Sequence, residues 1–90
     1  MTLEERDGVT VITGLPVEQM AFLALGLPLD GEVAAVLRSL LAGARVELRV
    51  EALEYKRYKK TAPLGAYQKF MGMERQLREM GIVMLRAHAP

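Results

Sequence analysis

The stretch that most constrains this 90-residue chain is Arg45-Val46-Glu47-Leu48-Arg49-Val50-Glu51-Ala52, where charged and apolar side chains alternate without a break. Successive side chains of a strand point to opposite faces. Val46, Leu48, Val50 and Ala52 therefore share one face, and Arg45, Glu47, Arg49 and Glu51 the other. The pattern predicts a strand over residues 45–52 with one wet face, which must bury its apolar side against another layer. Past Leu53 the alternation stops, and Lys56, Arg57, Lys59 and Lys60 follow, interleaved with Tyr55 and Tyr58. A structural strand thus runs into the most chemically distinctive segment of the chain.

The flanking sequence supplies further elements. Residues 1–7 read as a polar, frayed lead-in. Val9-Thr10-Val11-Ile12-Thr13 is a β-branched strand stopped by Gly14. Pro16 suits a first helical turn, Glu18 favours a helix N-terminus, and Gly26 followed by Pro28 marks the end of that helix. Asp30 can cap a second helix carrying Val33, Val36, Leu37, Leu40, Leu41 and Ala44 at spacings of three and four, with Gly43 closing it. Thr61 and Pro63 announce a third helix, whose stripe is Leu64, Tyr67, Phe70, Met71, Met73, Leu77 and Met80. Ile82-Val83-Met84-Leu85 reads as a buried strand. The order is β-α-α-β-α-β, which predicts a small α/β domain spanning residues 1–90. Its sheet is expected to have three strands, mainly parallel, covered by helices, with the middle strand open on one side, at an edge, or against another chain.

Composition removes several classes of function. The chain has no cysteine, so disulfides, thiol nucleophiles and cysteine-based metal sites are excluded. The single histidine is His88, and the single serine, Ser39, lies in an apolar helical run, so neither suits a catalytic triad. No apolar run reaches the ~18–20 residues of a membrane span, and the acidic first residues do not resemble a signal peptide, so a cytoplasmic location is expected. The charge is uneven. Residues 1–44 carry two basic and six acidic side chains, a net of −4, whereas residues 45–90 carry ten basic and five acidic, a net of +5. Such polarity favours self-association through unlike ends or an anionic partner near the second half.

Two stretches are candidate sites. Tyr55, Lys56, Arg57, Tyr58, Lys59 and Lys60 could bind an anion or an acidic partner, the cations supplying charge and the tyrosines a packing surface; the plain alternative is a solvated loop. Nucleic acid would use the same residues, but four cations make a small footprint. Thr13 and Gly14 stand at the carboxyl end of a strand, where open parallel sheets bind ligands; turn geometry alone also accounts for Gly14. Glu51 and Glu54 are expected to form salt bridges on the wet face. No metal-ligand spacing and no catalytic residue is assigned. Met20, Met71, Met73, Met80 and Met84 are expected mainly in the core, with some excess at an oligomer interface.

Met20-Ala21-Phe22-Leu23-Ala24-Leu25-Gly26, followed by Leu40-Leu41-Ala42-Gly43-Ala44-Arg45-Val46, resembles the C-terminal half of flavoprotein-like Rossmann domains such as dipicolinate synthase B subunits and phosphopantothenoylcysteine decarboxylases. The continuation Glu51-Ala52-Leu53-Glu54-Tyr55-Lys56-Arg57-Tyr58-Lys59-Lys60-Thr61-Ala62 resembles one branch more closely. That branch comprises accessory proteins of ethanolamine and propanediol utilisation microcompartments, with a G-L-E-Y-R/K-x-Y-x-x-T-A stretch before the last helix. The similarity spans about residues 9 to 85. It implies half of a flavoprotein-like domain, acting through contacts with itself, as a dimer, and with other proteins, on or within a bacterial microcompartment. The family's cofactor is flavin mononucleotide (FMN). Its phosphate loop after the first strand has no counterpart here, and Gly14-Leu15-Pro16-Val17-Glu18 replaces the expected asparagine, so the chain alone is expected to hold no cofactor. The rival implication is a subunit of a flavin- or nucleotide-binding enzyme completed by another chain.

Overall fold

A computed structural model describes residues 1–86, and His88 lies outside them. The chain forms a four-stranded sheet in the order β1-β2-β3-β4, with three α-helices. The strands are β1 (Thr2–Arg6), β2 (Val9–Gly14), β3 (Val46–Arg49) and β4 (Val83–Leu85); the helices are α1 (Val17–Leu25), α2 (Gly31–Leu41) and α3 (Leu64–Glu79). β2, β3 and β4 pair in parallel through helical crossovers, as the β-α-α-β-α-β pattern predicts. The sheet is nevertheless mixed, because β1 pairs antiparallel with β2.

β1 corrects the expectation of three strands and a frayed start. Asp7 and Gly8 both have positive φ, 52° and 79°, and join Arg6 to Val9 in a two-residue hairpin turn of the type that Asp-Gly favours. The residues between offer only Leu3 to the core, so hydrophobic periodicity does not reveal the strand. A bulge between Thr2 and Leu3 brings Thr2 opposite Gly14. There a glycine is required by proximity: a Cβ at Gly14 would lie 2.9 Å from Thr2 Oγ1 and 3.3 Å from Thr2 Cβ.

Register separates the two faces of the sheet. Leu3, Ile12, Leu48 and Met84 lie in one row across it, and the core builds on this side with Val46, Met20 and Leu23 of α1, Val33 and Val36 of α2, and Met73 and Leu77 of α3. Glu4, Val11, Glu47 and Val83 form the row on the opposite side. Arg6 and Arg49 reach Glu4 at 3.1 and 3.8 Å, and Arg45 reaches Glu47 at 2.7 Å, so ion pairs cross this face. Val11 is buried between the acidic neighbours, whose methylene stems can cover it. The wet face of β3 is therefore an open face of a central strand.

Local signals explain the helix ends. Asp30 accepts a 2.8 Å hydrogen bond from the Val33 N–H, and Gly26, at φ 68°, ends α1 with the Leu27 N–H bonded back to the Phe22 carbonyl. β3 is shorter than its alternation predicts: a 3₁₀ turn, Val50–Ala52, replaces its second half. The α3 stripe also divides, since Met73 and Leu77 are buried while Leu64, Met71 and Met80 are exposed. Among the described residues no helix is long and apolar enough to cross a membrane.

Gly14→Ala should lower stability by about 1–3 kcal/mol, the usual cost of overpacking. Denaturant unfolding in a Thr2→Gly background should show a smaller loss. Equal losses in both backgrounds would show that the Thr2 contact is not the cause.

Candidate functional site

The carboxyl ends of β2 and β3 are joined beyond the regular sheet. Leu15 and Leu53, both buried, form an isolated parallel bridge in which the Leu15 N–H donates to the Ala52 carbonyl at 2.9 Å and the Glu54 N–H to the Leu15 carbonyl at 3.2 Å. From this fixed point the chain enters a second 3₁₀ turn, Glu54–Tyr58. Side chains three apart nearly eclipse in such a turn, so Tyr55 and Tyr58 share the edge facing α1 and α3. The cations Lys56, Arg57, Lys59 and Lys60 are left exposed.

The two tyrosines have different roles. Tyr55 is only 5% exposed, with its ring centroid 5.2 Å from that of Tyr67 and 5.9 Å from that of Phe70. Its hydroxyl donates to Glu74 Oε1; burial first, and then the Glu74 carboxylate, raises its pKa far above the ordinary phenol value. Tyr55 is thus a core residue, which corrects its reading as a free packing surface. Tyr58 is 43% exposed and donates to Glu54 Oε2 at 2.7 Å; this bond raises the Tyr58 pKa.

Glu54 is the residue on which the segment turns. Pro16 precedes α1 and supplies no side-chain cap, and instead Glu54 Oε1 accepts the Val17 N–H at 3.1 Å from 37 positions along the chain. The hydrogen bond from Tyr58, followed by that from Val17, holds the Glu54 carboxyl below its ordinary pKa. This corrects the expectation of a salt bridge on the wet face. The sequence signal was indirect, a helix start at Pro16 with no Ser, Thr, Asp or Asn ahead of it.

Lys56 lies 3.7 Å and Arg78 3.8 Å from Glu74. Among the described residues Arg57, Lys59 and Lys60 enter no ion pair. The two predicted stretches meet at a small cavity of about 200 Å³, where Gly14 faces Glu54 and Arg57. Thr13 does not line it: its hydroxyl donates to the Thr2 carbonyl at 3.3 Å, a contact within the hairpin.

This end of the sheet does not fit the phosphate of a flavin. Pro16 has no N–H, the first N–H of α1 is held by Glu54, and the carboxylates of Glu18 and Glu54 both stand beside the helix start. Among the described residues no three His, Asp or Glu side chains form a metal-binding group.

Exposed apolar surface, which the sequence pattern anticipated only as a general excess, lies in particular places. A cavity of about 330 Å³ is lined by Val17, Ala66, Tyr67 and Phe70 together with Tyr58, Glu18 and Glu54, and one of about 440 Å³ by Lys59, Ala62, Leu64, Tyr67 and Met71. On the far end of the helical layer, the ends of α1, α2 and α3 enclose a groove of about 570 Å³ lined by Gly26, Pro28, Leu37, Leu40, Leu41 and Met80, among others. Compared with known protein families, curated proteins and solved structures, the chain matches none.

The cap has a pH signature. A carboxyl whose pKa is depressed by folding contributes stability that is complete above its unfolded pKa and is lost as pH falls through the folded one. Tyr58→Phe should therefore move the Glu54 carboxyl titration, followed by NMR, up toward the ordinary glutamate value. An unchanged midpoint would mean that Tyr58 does not hold the carboxylate.

Proposed function

We propose that this protein is a non-catalytic accessory or assembly protein that works through protein–protein contacts, first with a second copy of itself. The groove between the helix ends carries the argument. Leu41, 89% exposed, projects beside it, with Leu25, Leu27 and Leu29 exposed on the segment that ends α1 and follows it. One patch thus offers both projecting leucines and an apolar groove to receive them, which is what a twofold interface between identical surfaces requires. Among the described residues Arg38 is the only charged one lining the groove, so pairing would desolvate few charges. Burying each leucine would contribute roughly 1.5–3 kcal/mol, and a twofold uses each one twice.

The cationic segment, with Arg57, Lys59 and Lys60 free of intramolecular pairs among the described residues, would face a second, different protein. The setting is the one the sequence resemblance implies, a bacterial microcompartment of the ethanolamine or propanediol utilisation type, with the parallel part of the sheet corresponding to half of a flavoprotein-like domain. The carboxylate at the start of α1 supports a role that does not depend on holding FMN in this chain.

Sedimentation velocity tests the self-association. The native chain should sediment as a dimer at micromolar concentration, and Leu41→Glu as a monomer with an unchanged far-ultraviolet circular dichroism spectrum and a stability within about 0.5 kcal/mol of the native chain diluted to monomer, as for an exposed site. A native chain that is monomeric at millimolar concentration would contradict the reading.

A further inference from the structure

The outer face of α3 is distinct from the groove at the helix ends, and both charge and shape restrict what it can bind. Leu64, Tyr67 and Met71 recur at spacings of three and four on one side of the helix. Leu64 is 71% and Met71 49% exposed, although a core-facing stripe would bury both. The cavity of about 440 Å³ beside them is closed on its other side by Lys59 and Ala62, so the cationic segment forms one wall of an apolar trough.

The charges around this trough are nearly all of one sign. Lys59 and Lys60 are unpaired among the described residues, and Arg75 follows Met71 by one turn of α3, also without a carboxylate partner. Two acidic groups of α3 flank this face: Glu74 on one side, already shared by the Tyr55 hydroxyl, Lys56 and Arg78, and the exposed Glu79, one turn beyond Arg75 at the far end of the helix from Lys59 and Lys60. Beyond Tyr58 the sign reverses, because Glu18 and Glu54 line the neighbouring cavity. The strip that favours an anionic partner thus ends at Tyr58.

Resting on the reading of this protein as an interaction module, we propose that this trough docks an acidic amphipathic helix of a different protein. The partner's apolar stripe would lie against Leu64, Tyr67 and Met71, and its flanking glutamates or aspartates would face Lys59, Lys60 and Arg75. A stripe spaced at three and four residues is the surface into which the ridge of a second helix packs. The unpaired cations set its charge and steer its approach. Phosphate groups alone would satisfy the lysines but would leave the exposed leucine and methionine uncovered, which disfavours nucleic acid as the occupant.

Fluorescence anisotropy on the full chain provides the test. The probe is a short labelled peptide with leucines recurring every three and four residues among glutamates; a second peptide replaces the glutamates with lysines. The native chain should bind the glutamate peptide, with affinity falling as salt rises, and should bind the lysine peptide at least about tenfold more weakly, a difference of ~1.4 kcal/mol. Met71→Glu, and separately Lys59→Glu combined with Lys60→Glu, should each weaken the glutamate peptide about tenfold or more, both changes being at exposed positions. Leu41→Glu, on the other patch, should leave its binding unchanged. Equal affinity for the two peptides, no binding of either, or full displacement of the peptide by a single-stranded oligonucleotide through the same residues would each overturn the proposal. A chain that dimerises but binds no peptide would refute this inference alone, whereas a monomer that binds the peptide would refute only the self-association.

Discussion

The bridge between Leu15 and Leu53 is the contact on which the rest of the molecule depends. It prolongs the parallel pairing of β2 and β3 past the last residue of β3, and its two leucines are buried where the helical layer meets the end of the sheet. Removing two such side chains from water contributes roughly 1.5–3 kcal/mol each, well above what the exposed ion pairs on the open sheet face supply. Because position 53 is fixed there, Glu54 falls within reach of the Val17 N–H, Tyr55 enters the core, and the cations that follow are turned outward. One backbone contact therefore caps a helix, completes the core and presents a charged surface.

The same contact decides between uses of this end of the sheet. In open parallel sheets the carboxyl ends of the strands and the nearby helix N-termini receive anionic ligands. Here an internal carboxylate holds the first N–H of α1, with a tyrosine hydroxyl donating to its other oxygen. The position is filled by the chain itself, and the surfaces with unmet capacity are elsewhere. They are the groove among the helix ends and the trough along α3, both apolar and differing in the charge around them. Under the proposed reading, each of these two surfaces would take a different partner.

Much of this architecture was legible in the sequence. The first half of the alternation after Arg45, the β-branched run at Val9 and the caps at Asp30 and Gly26 each carry a local physical signal, and each stands where that signal places it. β1 escaped because a strand with a single apolar residue has no hydrophobic period to detect, although Asp7-Gly8 carried the turn signal. The second half of the alternating stretch became a 3₁₀ turn because the chain must fold over the end of the sheet, a demand of tertiary structure that periodicity does not express. The site was half legible. The cations are exposed as expected, but Tyr55 is buried, and the leucine and methionine that complete the surface looked like core because helical spacing cannot tell which of two apolar edges the sheet will cover.

The account rests most directly on the carboxylate of Glu54 holding the start of α1, and the amide resonance of Val17 reports on that bond. In a pH titration followed by ¹H–¹⁵N NMR, the Val17 amide should move with the Glu54 carboxyl, at a midpoint below the ordinary glutamate value, and should not respond to added FMN at neutral pH. A Val17 amide that is indifferent to the Glu54 titration, or that shifts saturably with FMN, would contradict it.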